Sequence, residues 1–208
     1  MLLAFDTATD AVTVALHDGR SVVADRTLED RLRHGELLAP TIAAVLAEGA
    51  ARPSDLTRIA VGVGPGPFTG LRIGIVTATT MAAALGVEVV GVCTLDVLAA
   101  AVELDGPFLV ATDARRKEVF WASYDAPGSR TTDPAVDFPL TIATDRPAAG
   151  VGPMLYPEHL TSPIEPRLPQ AAVLARLVVT GQARLLPARP LYLRRPDATV
   201  PAARKRVT

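Results

Sequence analysis

The segment Gly62-Val-Gly-Pro-Gly-Pro-Phe-Thr-Gly-Leu-Arg-Ile-Gly74 restricts what this chain can become more than any other. Five glycines and two prolines in thirteen residues hold the backbone in shapes that most side chains forbid. A chain carries that entropic cost where a strand must turn tightly into a helix, or where something must approach the backbone closely. The flanks fit the first case: Arg58 to Gly62 reads as an apolar strand and Leu71 to Leu85 as a helix. The run is no Walker A loop, because it contains no lysine, and it does not meet the βαβ start of a dinucleotide fingerprint. Its free amides can still cradle an anion at the N-terminus of the next helix, where Arg72 lies in the first turn. A structural or partner-facing turn is the competing reading, and the run alone leaves both open.

Around this run the chain reads as α/β. Leu2 to Phe5, Ala11 to Leu16 and Ser21 to Asp25 form three strands, with Asp6-Thr-Ala-Thr-Asp10 and His17-Asp-Gly-Arg20 as turns. Leu37 to Glu48 has helical spacing, its apolar stripe being Leu38, Ile42, Val45 and Leu46. After the glycine-rich run and its helix, Gly86 is the expected cap and Val87 to Val92 a buried strand. Asp96 to Glu103 is expected as a helix, and Phe108 to Asp113 with Glu118 to Tyr124 as a strand pair. Prolines then divide the chain into short pieces, with Gln170 to Thr180 as a late helix and Pro187 to Arg195 as a closing extended segment. Three strands before the first long helix suit a mixed sheet, not a Rossmann opening. The expected organisation is a lobe over residues 1–104 and a smaller one over 105–208. No internal repeat stands out, although both lobes begin with a strand, an aspartate and a second strand.

Composition narrows the function classes. Hydrophobic residues make up 49% and aromatics only 4%, so the core is built from Ala, Val, Leu and Ile. A net charge of -1 argues against a strongly basic nucleic-acid surface; only the tail Arg204-Lys-Arg206 is locally basic. Cys93 is the sole cysteine, so no intrachain disulfide can form. The start Met1 to Asp6 does not read as a signal peptide, and glycines with Glu88 interrupt the apolar 74–91 stretch. A cytoplasmic protein without a membrane contact is expected.

Four features carry candidate chemistry. Gly70, Gly74, Ala78 and Ala82 place a smooth stripe on one helix face, with Leu71, Ile75, Met81 and Leu85 around it. Such a stripe packs closely on the chain's own sheet or on a partner's helix, which Leu37 to Leu46 would join. Asp6, followed by Thr7 and Thr9, either caps its turn or orients a cation or water near a phosphate. Asp113 repeats that placement, and two such aspartates facing across lobes would make a nucleotide cleft. His17, His34 and His159 form no His-x-x-x-His pair, so a hydrolytic zinc site has no local support. Arg115-Arg-Lys117 is the best internal basic cluster, read as an exposed turn or as a phosphate or RNA contact.

The motifs Asp6-Thr-Ala-Thr-Asp10, Arg33-His-Gly-Glu-Leu-Leu38, the 62–74 run and Ala111-Thr-Asp-Ala-Arg-Arg-Lys-Glu-Val-Phe120 together resemble the bacterial TsaB (YeaZ) family, as does Pro190-Leu-Tyr-Leu-Arg-Arg195 near the end. The resemblance implies an actin-like, Hsp70-like (ribonuclease H-like) ATPase fold of two lobes, the second reduced. It also implies a non-catalytic subunit that dimerises with and activates a TsaD-like transferase. That enzyme moves a threonylcarbamoyl group to adenosine 37 of tRNAs reading codons that start with A. A TsaE-like ATPase is the further partner implied, and tRNA is reached through the complex. Where TsaD-like enzymes carry a His-x-x-x-His metal pair, this chain has Thr94 and Leu98, so neither a metal nor a catalytic residue is expected. The residues matching the family's interface region include His34, Leu38, Ile42, Val45, Gly70, Arg72, Gly74, Ala78 and Met81. Asp6, Thr7 and Asp113 match phosphate-loop positions, with ATP or ADP shared at a complex interface rather than held by this chain. An actin-like nucleotide-binding ATPase or phosphotransferase using Asp6 and Asp113 is the alternative, and a homodimer of the free chain stays open.

Overall fold

The computed structural model describes residues 1–194. Arg195 and the basic tail Arg204 to Arg206 lie outside the described residues. The chain opens with β1 (Leu2–Asp6), β2 (Ala11–His17) and β3 (Val22–Glu29), an antiparallel meander. Helix α1 (His34–Glu48), β4 (Arg58–Gly62), α2 (Phe68–Leu85) and β5 (Glu88–Val92) follow. In space the order is β3-β2-β1-β4-β5, with β4 and β5 parallel to β1. The period-2 pleat sends alternate side chains of β1 to opposite faces. Leu3 and Phe5 pack with Leu38, Ile42 and Val45 of α1 and with Leu71, Ile75 and Ala78 of α2. Leu2 and Ala4 face the other way, onto Val173, Leu174 and Val178.

A second sheet follows α3 (Thr94–Ala99) and is built from β6 (Phe108–Asp113), β7 (Val119–Ala126), β8 (Ser129–Arg130), β9 (Ala135–Asp137), β10 (Thr144–Ala149) and β11 (Leu160–Pro163). Its order is β11-β10-β6-β7-β8, with β9 also on β7. Here β6 and β7 are antiparallel, whereas β10 and β11 run parallel to β6. Read from the other end, this repeats the first sheet strand for strand: β6 stands for β1, β7 for β2, β8 for β3, β10 for β4 and β11 for β5. Between β10 and β11 the counterpart of the 18-residue α2 is the four-residue α4 (Gly152–Leu155). The counterpart of α1 is the 3-10 turn Pro139–Ile142. Two lobes of one topology, the second with its helices cut short, are the actin-like, Hsp70-like arrangement. The duplication lies in strand order rather than in matching residues, which is why the sequence shows no repeat.

Helix α5 (Ala171–Val179) crosses back over the division at 104/105. Its Val173, Leu174 and Val178 cover the face of the first sheet opposite α1 and α2. Leu186 then bridges to Gly91, and the Leu191 amide donates to the Val63 carbonyl at 2.9 Å. Residues from the second half therefore complete the first core, so the division separates the two sheets but not the two cores.

The small-residue stripe of α2 is core, not surface. Gly70, Gly74, Ala78 and Ala82 are all buried. The reason at Gly74 is close approach: a Cβ there would stand 2.4 Å from Thr7 Oγ1. His34, Leu38, Ile42 and Val45 of α1 likewise point into the chain's own core. Of the nine residues expected at a partner interface, Arg72 is exposed and Met81 half-buried. Most of the residues named therefore lie on the inward faces of their helices, because the same spacing serves a sheet below as well as a helix above. Although α2 is long and apolar enough to cross a membrane by composition, its buried stripe belongs to this sheet. Replacing Gly74 by Leu is therefore expected to cost about 3 kcal/mol or more by overpacking, measured by urea unfolding. Ala83→Leu, on the exposed side of α2, should stay within about 0.5 kcal/mol.

Candidate functional site

Both sheets end their first strand on an aspartate, and both aspartates make the same turn. The Ala8 amide donates to Asp6 Oδ1 at 2.7 Å, and the Arg115 amide donates to Asp113 Oδ1 at 2.7 Å. The two turns are neighbours, since Arg115, two residues beyond Asp113, reaches Asp10 of the first turn. Their environments differ.

Asp6 is fully buried. Thr94 Oγ1 donates to its Oδ2 at 2.7 Å and accepts from the Gly64 amide at 3.1 Å, while the Thr94 amide donates to the Gly64 carbonyl at 2.8 Å. Thr94, at the position of an expected metal ligand in the resembling enzymes, is thus a strut between Asp6 and the glycine-rich loop. The glycines permit this contact: a Cβ at Gly62 would meet Asp6 Oδ2 at 1.9 Å, and one at Gly66 would meet the Ala8 carbonyl at 2.1 Å. Thr7 Oγ1 donates to the Gly70 carbonyl at 2.7 Å, so Thr7 serves the loop-to-helix junction. His34 Nε2 lies 2.7 Å from the Thr9 carbonyl and anchors the start of α1 to the same turn. Burial pushes the Asp6 carboxyl up to about 6, against the opposing pull of the Ala8 and Thr94 hydrogen bonds and of His34.

Asp113 lies nearer the surface and is neutralised. Arg115 Nη1 donates to Asp113 Oδ2 at 2.5 Å, and its Nη2 donates to Asp10 Oδ1 at 2.7 Å. One guanidinium thus joins the turn of the second lobe to that of the first, using the planar fork that a lysine lacks. The hairpin bearing it is strained: Arg115, Arg116 and Lys117 have φ of 61°, 56° and 62°. A left-handed conformation costs an L-residue roughly 1–2 kcal/mol, and such hairpins normally use Gly, Asn or Asp. Arg194 forms an ion pair with Glu118 and donates to the Ala114 carbonyl at 3.3 Å.

A second contact ties the lobes from another side. Asp96 of α3 accepts from the Tyr124 hydroxyl at 2.8 Å and from Arg130 Nη1 at 3.1 Å. Cys93, beside it, is buried, and that burial pushes its thiol up to about 12, so it is core rather than nucleophile. Leu98 is fully buried. Among the described residues no group of three or more His, Cys, Asp and Glu side chains is placed to hold a metal ion.

Between the start of α2 and the strained hairpin is a cleft of about 490 Å³, whose walls include Phe68, Phe120, Tyr192, Arg115, Arg116 and Arg194. Phe68 stacks on Tyr192 at 5.5 Å between ring centres, and the Arg72 guanidinium lies 4.7 Å over Phe68. The sequence pattern marked Asp6, Thr7 and Asp113 but not Asp10, Thr94 or Tyr192. Nothing local links Asp10 to Arg115, which are 105 residues apart in the chain.

The outer side of the two helices is exposed as well. On α2 it presents Thr69, Arg72, Val76, Thr80 and Ala83, with Val76 58% exposed. On α1 it presents Ala39, Pro40, Ala43 and Ala47.

Against known proteins, residues 22–147 match the family model of TsaD, tRNA N6-adenosine threonylcarbamoyltransferase. An uncharacterized protein of Mycobacterium tuberculosis is 42% identical over 204 residues, covering 95% of this chain and 93% of that protein. The tRNA threonylcarbamoyladenosine biosynthesis protein TsaB of Escherichia coli is 39% identical over 126 residues, covering 59% of this chain and 54% of that one. The structure of YeaZ from Pseudomonas aeruginosa superposes with a TM-score of 0.76 at 30% identity, covering 92% of this chain and 99% of that one. A crystal structure described as a protein with similarity to peptidase YEAZ, from the same organism, superposes with a TM-score of 0.80 at 31% identity, covering 93% and 99%.

The raised Asp6 carboxyl sets a pH dependence whose sign is fixed. With about 6 in the folded chain against an ordinary value of 3.8, the folded state takes up the proton first as pH falls. The penalty of burying the charge is full above pH 6 and gone below pH 4. Relative to Asp6→Asn, the native chain should therefore gain about 2 kcal/mol of unfolding free energy between pH 7 and pH 4. Paired urea titrations across that range check it, and a flat difference would mean that Asp6 titrates normally.

Proposed function

The chain belongs to the TsaB (YeaZ) family, and on that premise we propose that it is a non-catalytic, cytoplasmic subunit of the machinery that makes threonylcarbamoyladenosine in tRNA. In this reading it dimerises with a TsaD-like transferase and holds it in the state that modifies adenosine 37 of tRNAs reading codons that start with A. A TsaE-like ATPase joins the complex, and a homodimer forms when the transferase is absent.

The observation that carries the non-catalytic part is the Arg115 bridge. An actin-like phosphate site needs the gap between its two loop aspartates for a cation and phosphate oxygens. Here a guanidinium fills the gap between Asp10 and Asp113, and Asp6 is closed behind Thr94 and the glycine-rich loop. The residues present do not fit a nucleotide held by this chain alone; ATP or ADP belongs at a junction with a partner. A peptidase reading gains no support either. Thr94 is committed to Asp6 and Gly64, and Leu98 to the core.

The partner surface assigned by this reading is the outer face of α1 and α2, not the inward stripe. Val76, Thr80 and Ala83 are small enough for a facing helix to approach closely, and the sheet beneath holds their backbone rigid. Dispersion along such a face is collected over many weak contacts.

The test is reconstitution of threonylcarbamoyladenosine on tRNA from TsaD-like, TsaE-like and TsaC-like proteins, with and without this chain. Product is expected only when the chain is present, and the chain alone should turn over no ATP. Val76→Glu with Ala83→Glu should lower product formation at least tenfold while leaving the melting temperature unchanged. Full activity without the chain, or ATP turnover by the chain alone that Asp6→Asn abolishes, would sink the proposal.

A further inference from the structure

Helix α2 carries a single charged side chain in its 18 residues, and that is Arg72. It stands on the exposed stripe Phe68, Arg72, Val76 and Thr80, where a spacing of four keeps each residue on the same side. A cation near the N-terminal end of a helix opposes the helix dipole, so local energetics give no reason for it there. Core packing gives none either, because Arg72 is exposed. Among the described residues no carboxylate pairs with it.

The guanidinium lies instead 4.7 Å over the Phe68 ring, and that ring stacks at 5.5 Å on Tyr192. Both rings are themselves exposed, at 48% and 43%, in a chain where aromatics make up only 4%. Tyr192 is fixed from outside α2: the Leu191 amide beside it bonds to Val63, and Arg194 pairs with Glu118. The stack thus holds the guanidinium by its face. Held so, it keeps the N–H donors of its edge, a planar fork that matches a carboxylate. Rotamer freedom that such a contact costs is then surrendered before a partner arrives.

We propose that Arg72 is the specificity-determining contact of the α2 surface: it takes a carboxylate, Asp or Glu, from a helix of the partner, with Phe68 and Tyr192 as positioning residues. The proposal rests on the reading of the outer face of α1 and α2 as the transferase's docking surface, and deepens it by naming the chemistry of the contact. Val76, Thr80 and Ala83 offer a facing helix many weak contacts, none of which fixes its register. One cation at one end of that stripe does fix it. A helix shifted by a turn would leave the arginine without its carboxylate, and a basic helix would be repelled.

The experiment measures binding of the full chain to the TsaD-like transferase of the same organism by calorimetry, at about 50 and about 300 mM salt. Arg72→Gln should weaken binding about tenfold at the lower salt and less at the higher, because screening weakens the ion pair of the native chain. Arg72→Lys should recover only part of the loss, since an ammonium lacks the fork. Tyr192→Ala should weaken binding and Tyr192→Phe should not, as the ring and not the hydroxyl does the positioning. Arg72→Glu should abolish binding, and changing one exposed Asp or Glu of the transferase to Arg should restore it. Unchanged melting temperatures show that the variants fold. The proposal is overturned if Arg72→Gln binds as the native chain does, or if its deficit is equal at both salts. It is equally overturned if no charge reversal in the transferase rescues Arg72→Glu. Sedimentation of the free chain gives a further check: if Arg72→Gln alters self-association alone, the carboxylate is a second copy's and the proposal fails. Loss of binding by Val76→Glu with Ala83→Glu, beside native binding by Arg72→Gln, would leave the docking surface standing and remove this contact alone. No binding by the native chain would remove both.

Discussion

Asp6 is a fully buried carboxyl group, and the first lobe supplies a hydrogen bond to each of its oxygens. Its two oxygens receive the Ala8 amide and the Thr94 hydroxyl. Thr94 in turn fixes Gly64, and the glycine-rich loop closes over the turn because Gly62 and Gly66 have no Cβ to obstruct it. Segments more than fifty residues apart are therefore held by one carboxylate. Removing a partner would leave a buried charge unsatisfied, which is far more costly than losing an exposed hydrogen bond. The entropic cost of the glycines is the counterpart of that closure.

The second lobe repeats the turn and alters its use. Asp113 makes the same hydrogen bond two residues on as Asp6 does, yet it is met by an arginine from its own turn that reaches across to Asp10. The two turns are thereby joined by an internal ion bridge. The bridge is joined from a different side by Asp96 with Tyr124 and Arg130. Helix α5, although it comes from the second half of the chain, packs on the first sheet. Hinge motion is the working principle of many two-lobed ATPases. Here the two halves are linked by the Arg115 bridge and by Asp96 with Tyr124 and Arg130.

Much of the site was legible residue by residue, but not as an arrangement. Asp6 and Asp113 could be singled out because each ends an apolar strand, and strand ends in α/β folds face the ligand crevice. Thr94 was noticed only as a position without an imidazole; its bond to Asp6 spans 88 residues. The basic cluster at Arg115 to Lys117 was visible, but not its three left-handed residues, because no Gly or Asn advertises them. The interface expectation rested on a real pattern, yet most of the residues it named lie inward. Helical periodicity reports that one face is smooth, and whether a sheet or a partner covers that face depends on atoms elsewhere in the chain.

By itself the sequence determined the local structure of this protein: the opening meander, the strand–turn–helix at the glycine-rich run, the Ala/Val/Leu/Ile core, and the lack of a local metal motif. These follow from backbone preferences and from side-chain periods of 2 and 3.6, which act over a few residues. Only the tertiary structure decided that the second sheet repeats the first, that α5 completes the first core, that the small stripe lies inward, and that Arg115 joins Asp10 to Asp113. Each of those depends on contacts between segments distant in sequence. Such contacts form through packing density and electrostatics in three dimensions, and no local pattern encodes which distant residue will be the partner.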